Sequence, residues 1–253
     1  LEPSIFFFMQ HYGTLIACFK LRLTLICHRR FMFLALSTLS HLIFSYNTKK
    51  PYFLFKKMKE KVIVYLHGFR SSPESKKATF LKQFCSTNNI DFFCPPLDMS
   101  PKKAVTQSMT IVKNIMGQQY QQIILVGSSL GGFYTTYIMQ NCEGSEQVLS
   151  ILINPSVKPF RDLESAINSE KKWELEALNI KPFTRDHHLE IQKLEKTVGT
   201  TLRFPDNILL VAAKGDELLS WEEMSSFYKG CQQYIVDGSD HGMTDFPKHW
   251  KSI

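Results

Sequence analysis

No two cysteines stand at C-x-x-C spacing and no histidine–cysteine cluster has zinc-ligand spacing, so the six scattered cysteines frame neither a metal site nor a disulfide scaffold. They read as reduced, mostly buried thiols of a cytosolic enzyme. His187, His188 and Glu190 come nearest to a metal cluster. Adjacent helical histidines point in different directions, so a solvated surface is expected there and no metal. A general excess of charge is also missing. The net +7 belongs to residues 1–57, which carry eight basic side chains against Glu2 alone; the 22 basic and 22 acidic side chains that follow cancel. Nothing in the remainder therefore favours nucleic acid as a partner. A long apolar run is absent too. Residues 31–44 are apolar and follow His28-Arg29-Arg30, but the segment is shorter than the roughly 20 residues of a span, contains His41 and has lysines beyond it. A membrane partner follows only if this segment is a working anchor. Met58 stands directly before Lys59-Glu60-Lys61-Val62. The expectation is that residues 1–57 are translated upstream sequence outside the fold, which would occupy 58–253.

What is present is a strand–turn–helix signal. The apolar run Ile123-Ile124-Leu125-Val126 leads into Gly127-Ser128-Ser129-Leu130-Gly131-Gly132. This places Ser129 at the centre of G-x-S-x-G, on a sharp turn that exposes its hydroxyl and aims the first N–H groups of a helix at whatever it attacks. Ser128 lacks the frame, because Val126 and Leu130 stand where glycines are needed. Side chains two residues either side of the nucleophile would collide as strand and helix converge, so Gly127 and Gly131 answer a steric requirement.

Three further segments supply context. Lys61-Val62-Ile63-Val64-Tyr65-Leu66 reads as a buried strand followed at once by His67-Gly68-Phe69. In a hydrolase of this design the loop after an early strand presents one oxyanion N–H and the residue behind the nucleophile the other. Those donors would be Phe69 and Leu130, with His67 and Gly68 shaping the loop. Ile208-Leu209-Leu210-Val211-Ala212-Ala213 ends in Lys214-Gly215-Asp216-Glu217, and Gln233-Tyr234-Ile235-Val236 ends in Asp237-Gly238-Ser239-Asp240-His241-Gly242. The chain order Ser129, Asp216, His241 is that of α/β-hydrolases. Asp237, Asp240 and Glu217 compete with Asp216 for the third place, although Asp240 is awkwardly close to His241 in sequence.

These residues together resemble the YqiA-type esterases, a family of small bacterial α/β-hydrolases. The resemblance runs over about 62–250 and rests on Tyr65-Leu66-His67-Gly68-Phe69-Arg70-Ser71-Ser72-Pro73, Val126-Gly127-Ser128-Ser129-Leu130-Gly131-Gly132-Phe133-Tyr134, Asn154-Pro155-Ser156-Val157-Lys158-Pro159-Phe160, Gly215-Asp216-Glu217 and Asp240-His241-Gly242-Met243-Thr244. It implies an esterase with the triad Ser129, Asp216 and His241. Residues 1–57 have no counterpart in the family, which also continues further as a closing helix.

From Val62 onward strands alternate with amphipathic helices, the pattern of an α/β-hydrolase fold with a mainly parallel sheet flanked by helices. Ala78, Leu81, Phe84 and Cys85 mark one helix, and Val105, Met109, Val112, Ile115 and Met116 the next. Strands are also expected at Ile90-Asp91-Phe92-Phe93-Cys94 and Val148-Leu149-Ser150-Ile151-Leu152-Ile153. Residues 156–205 interrupt the alternation as a helical cap insertion. Its Phe160, Leu163, Trp173, Leu175, Leu178 and Phe183 are candidates for an acyl pocket, or else pack the insertion onto the sheet. The expected activity is hydrolysis of a small-molecule carboxylic ester or thioester with small to medium acyl groups, without metal or cofactor. A non-catalytic binding protein on the same fold, or a membrane-tethered interaction protein, is the competing reading.

Overall fold

In a computed structural model of the protein, residues 59–118, 120–167 and 181–253 are described. The segment 31–44, Cys18, Cys27, Met58, Trp173, Leu175 and Leu178 lie outside them. Each of the expected strands forms: β1 (Lys59–Leu66), β2 (Asp91–Phe93), β3 (Tyr120–Ser128), β4 (Val148–Ile153), β5 (Ile208–Ala213) and β6 (Gln232–Val236). They make one parallel sheet in the order β2-β1-β3-β4-β5-β6. Strand β3 begins earlier than its apolar run, because pairing with β1 carries it back to Tyr120. The Tyr120 hydroxyl there donates to the Asp91 carboxylate on β2.

A parallel sheet must be covered on both faces, and its strands are apolar on both. Val62, Val64 and Leu66 of β1 enter one core cluster, while Ile63 and Tyr65 enter another. Leu66, Gly127, Leu152 and Leu210 stand side by side in register, so the third cluster, around Leu152 and Leu210, continues the first face. Helix α1 (Lys76–Thr87) covers the second face with Ala78, Leu81 and Cys85. The first face receives α2 (Pro101–Met116) and α3 (Leu130–Asn141). Helix α2 starts before its apolar pattern because Ser100 caps it, accepting the Lys103 N–H, and proline follows at its first position.

The described residues between β4 and β5 include the short α4 (Pro159–Asp162) and the longer α5 (Arg185–Val198). Ile191, Leu194 and Val198 of α5 pack in the cluster with α2 and α3. Phe183 is buried there too, Phe160 and Leu163 lean on the same cluster, and Phe160 stacks on His188 at 4.1 Å. The described aromatics of the insertion therefore pack it onto the sheet. His187, His188 and Glu190 are each spoken for. His187 completes a capping box with Thr184, and buried His188 bonds the Phe160 carbonyl. Glu190 accepts from the Ser100 hydroxyl and the Lys102 N–H at the start of α2. The expected solvated surface is thus corrected at His188, whose ring the Phe160 contact draws inward. Helices α6 (Trp221–Phe227) and α7 (Phe246–His249) complete the coat. Among the described residues the cysteines are free thiols, and no helix is long and apolar enough to cross a membrane.

The strand order reverses direction between β1 and β3, since β2 lies on one side and β4 on the other. Ligands in open α/β sheets bind beyond the carboxyl ends of strands at such a switch. Here α3 leaves β3 so close to β1 that a Cβ on Gly131 would overlap the Leu66 and His67 carbonyl oxygens. Gly131→Ala should therefore cost at least about 2 kcal/mol through overpacking against rigid backbone. Urea unfolding checks this; an unchanged midpoint would mean that the helix and strand can move apart.

Candidate active site

Ser129 occupies the turn between β3 and α3 with φ 55° and ψ −121°, a left-handed conformation that a non-glycine residue adopts only when surrounding structure imposes it. The imposition is visible. Its N–H donates to the Ile153 carbonyl at 3.0 Å, and its carbonyl accepts from Gly132, Phe133 and Ser156. A Cβ on Gly127 would strike the Gly131 carbonyl and the Thr135 hydroxyl, so only glycine lets strand and helix close on the serine.

One loop from beyond β6 reaches this hydroxyl, and a second, beyond β5, backs the first. His241 follows β6, and its Nε2 lies 2.9 Å from Ser129 Oγ; its Nδ1 lies 2.9 Å from Asp216 Oδ2, beyond β5. The Asp216 side chain is closed to solvent, and its Oδ1 accepts the N–H groups of Leu218 and Leu219 at 2.9 and 2.8 Å. A carboxylate has only acceptors to offer, so Nδ1 carries the ring proton and Nε2 accepts from the serine hydroxyl. The competing acids do not touch the ring. Asp237 is exposed and pairs with Lys214, while Asp240 accepts from the Thr244 N–H and hydroxyl. Glu217 accepts the backbone N–H of His241 at 2.9 Å.

The loops are locked to one another at their bases. Lys214 and Gly215 donate to the Val236 and Gly238 carbonyls, and a Cβ on Gly215 would overlap the Ser239 carbonyl. The Gly-Asp pair at 215–216 is thus a close-approach point between the two loops. Asn154, fully buried at the end of β4 with φ 41°, is the larger organiser. Its Oδ1 accepts the Ala213 N–H at 2.8 Å, and its Nδ2 donates to the Asp240 and His241 carbonyls, both at 3.1 Å. One side chain therefore holds the end of the strand that bears Asp216 and the backbone that bears His241. The sequence signal was the Asn-Pro pair directly behind a strand, since asparagine tolerates positive φ.

The loop after β1 lies against the serine from the other side. A Cβ on Gly68 would approach Ser129 Cβ to 3.2 Å. Among the described residues neither Phe69 N–H nor Leu130 N–H has a backbone acceptor, and Leu130, at the first position of α3, has none within its helix. His67 does not line the cavity. Its buried ring accepts the Leu97 N–H at Nε2 (3.3 Å), so Nδ1 donates to the Gly68 carbonyl (3.1 Å). Burial lowers its pKa, only partly offset by the Gly68 bond. The Phe69 ring meets Phe183 edge-on at 5.1 Å, so the insertion after β4 buttresses this loop.

A cavity of about 360 Å³ opens beside Ser129 and His241. Its walls are Tyr65, Phe69, Met243, Phe246 and Pro247 with the polar Ser71, Ser75, Lys76, Lys77 and Thr244. Phe160, Leu163 and Phe183, candidates for an acyl pocket, are not among them. They pack inward because α5 needs an apolar underside.

Two outcomes are expected. Asn154→Ala strips the buried Ala213 N–H of its acceptor, removes the side-chain donor to the His241 carbonyl and leaves the Asp240 carbonyl with the Met243 N–H alone, at a cost of about 1–3 kcal/mol for the unpaired amide alone. Urea unfolding should show that loss, and amide exchange across 238–244 should quicken by roughly tenfold or more; unchanged exchange would mean that the loop is held elsewhere. For His67 the folded pKa is depressed, so the unfolded chain takes up a proton first as pH falls through about 6.5. Stability then declines down to the lowered folded value. Melting temperature should drop between about pH 7.5 and 5.5, and His67→Gln should flatten that slope.

With this geometry in hand, residues 62–253 match the model of the uncharacterised protein family UPF0227. Among solved structures the chain is similar to Est1E from Butyrivibrio proteoclasticus, at 16% identity over 78% of this chain and 86% of that one, with a TM-score of 0.59. It is likewise similar to mouse alpha/beta hydrolase domain-containing protein 10, at 15% identity over 81% and 89% with a TM-score of 0.55. The Pyrococcus furiosus esterase Pf2001 matches at 15% identity over 76% and 77% with a TM-score of 0.53. The fold is the α/β-hydrolase fold.

Proposed function

The chain belongs to the uncharacterised protein family UPF0227, and from that membership and the bonded series Ser129–His241–Asp216 we propose that it is a serine esterase acting on carboxylic esters or thioesters. The observation that carries this reading is the pair of 2.9 Å contacts on the two nitrogens of one imidazole, with the serine at positive φ. The similarity to the Pyrococcus furiosus esterase Pf2001 supports the same class of reaction.

The reaction follows from the groups present. His241 Nε2 takes the Ser129 proton as Oγ bonds to the substrate's carbonyl carbon, and the imidazolium is stabilised by Asp216. The carbonyl oxygen becomes an oxyanion facing the Phe69 and Leu130 N–H groups; losing one such donor typically costs about 10²–10³ in turnover. The bond from carbon to the leaving oxygen or sulfur breaks, and His241 returns its proton to that atom. Water then attacks the acyl-enzyme with His241 as base, releasing the acid and restoring Ser129. Asp216 holds the tautomer that leaves Nε2 free to accept. A cavity of about 360 Å³ suits small to medium acyl groups, and no step draws on a metal or cofactor.

A fluorophosphonate probe should label the full chain at Ser129, and Ser129→Ala should abolish both labelling and hydrolysis of 4-nitrophenyl butyrate while keeping the melting temperature. Asp216→Asn should lower kcat by about 10⁴. Folded protein that neither labels nor hydrolyses would instead support a non-catalytic binding protein on this fold.

A further inference from the structure

The cavity beside Ser129 has an uneven charge. Two of its lining residues, Lys76 and Lys77, are cationic, and none is a carboxylic acid. Lys77 is half-buried at the start of α1, where its ammonium donates to the Gly242 carbonyl. That uses one of three N–H donors. The carboxylates that act on it electrostatically are Asp216 and Asp240, but both are committed to other donors. Asp216 is bonded to His241, Leu218 and Leu219, and Asp240 to Thr244. Among the described residues Lys77 forms no ion pair. Burial pushes its pKa down, so its charge is held against a desolvation penalty. Lys76 is exposed on the same wall, and the hydroxyls of Ser71, Ser75 and Thr244 lie around them.

A partly desolvated cation with spare donors in a ligand cavity is complementary to an anion. We propose that the substrate carries an anionic group, a carboxylate or phosphate, which Lys76 and Lys77 bind while Ser129 attacks the ester or thioester carbonyl. The inference rests on the esterase reading for its turnover and deepens it by naming the substrate class. The remainder of the chain is electrically balanced, so the preference arises at the cavity and not from a general attraction for anions.

Matched esters test it on the full chain. On the acyl side, 4-nitrophenyl hemiglutarate is compared with 4-nitrophenyl 5-methylhexanoate, where an isopropyl group replaces the carboxylate. On the leaving-group side, 3-acetoxybenzoate is compared with 3-isopropylphenyl acetate. In one of the two pairs the anionic ester should have roughly tenfold or more the kcat/KM of its neutral partner. Lys77→Met and, independently, Lys76→Met should pull that ratio toward one. The ratio cancels any general loss from loosening the Gly242 contact. Neutral esters turned over as fast as anionic ones in both pairs, with neither substitution moving the ratio, would overturn the inference and leave the esterase reading intact. If no ester is turned over, the esterase reading fails, and calorimetric titration with glutarate judges the anion site directly. Binding lost in Lys77→Met supports it, and no binding at millimolar glutarate overturns it.

Discussion

Where α3 leaves β3 and crosses the end of β1, backbone meets backbone with no room for a side chain. The Gly131 Cα faces the Leu66 and His67 carbonyls, and Gly127 faces the Gly131 carbonyl. That approach bends the chain sharply enough to put Ser129 at positive φ, and the Ile153, Ser156, Gly132 and Phe133 backbone bonds hold it there. The same crossing brings the loop after β1 against the serine. Strain, exposure of the Ser129 hydroxyl and the position of the Phe69 and Leu130 N–H groups are therefore consequences of one packing contact.

The parallel sheet then determines which chain segments can meet at that point. All six strands end on one edge, so loops 67–73, 128–130, 154–158, 214–220 and 237–245 converge although they are spread across the sequence. Convergence alone would leave five mobile loops. Asn154 joins three of them, with one amide bonding the end of β5 and the successive carbonyls of Asp240 and His241. His67 ties the first loop to Leu97, and Phe183 braces Phe69 from the insertion. The Asn154 and His67 ties each satisfy buried polar groups that would otherwise be costly, which is why the site can be both polar and rigid.

Much of the fold was legible because its strands are apolar on both faces and bounded by turn residues. Each of the six runs between Val62 and Val236 became a strand. Ser129 was legible because G-x-S-x-G behind such a run has few other uses, and His241 and Asp216 because each sits just past a strand. Less visible were residues whose role depends on a partner distant in sequence. The approach of Gly215 to Ser239, the capping of α2 by Glu190 from α5, and the lysine wall of the cavity have no local signature. The aromatic positions of the insertion were ambiguous for the reverse reason. Phe160, Leu163 and Phe183 carry the same apolar character whether they line a pocket or pack a helix, and α5 drew them inward.

The sequence by itself determined the order of strands and helices, the serine at the elbow and the short set of acids able to face His241, since these depend on local periodicity and on what a single turn tolerates. Only the tertiary structure decided that Asp216 and not Asp237, Asp240 or Glu217 bonds the imidazole, that Asn154 holds two loops at once, and that Lys76 and Lys77 share the serine's cavity. The physical reason is reach. A carboxylate or ammonium acts over a few ångströms, and separations of that size between residues a hundred positions apart are set by strand register and loop closure, which no local pattern encodes.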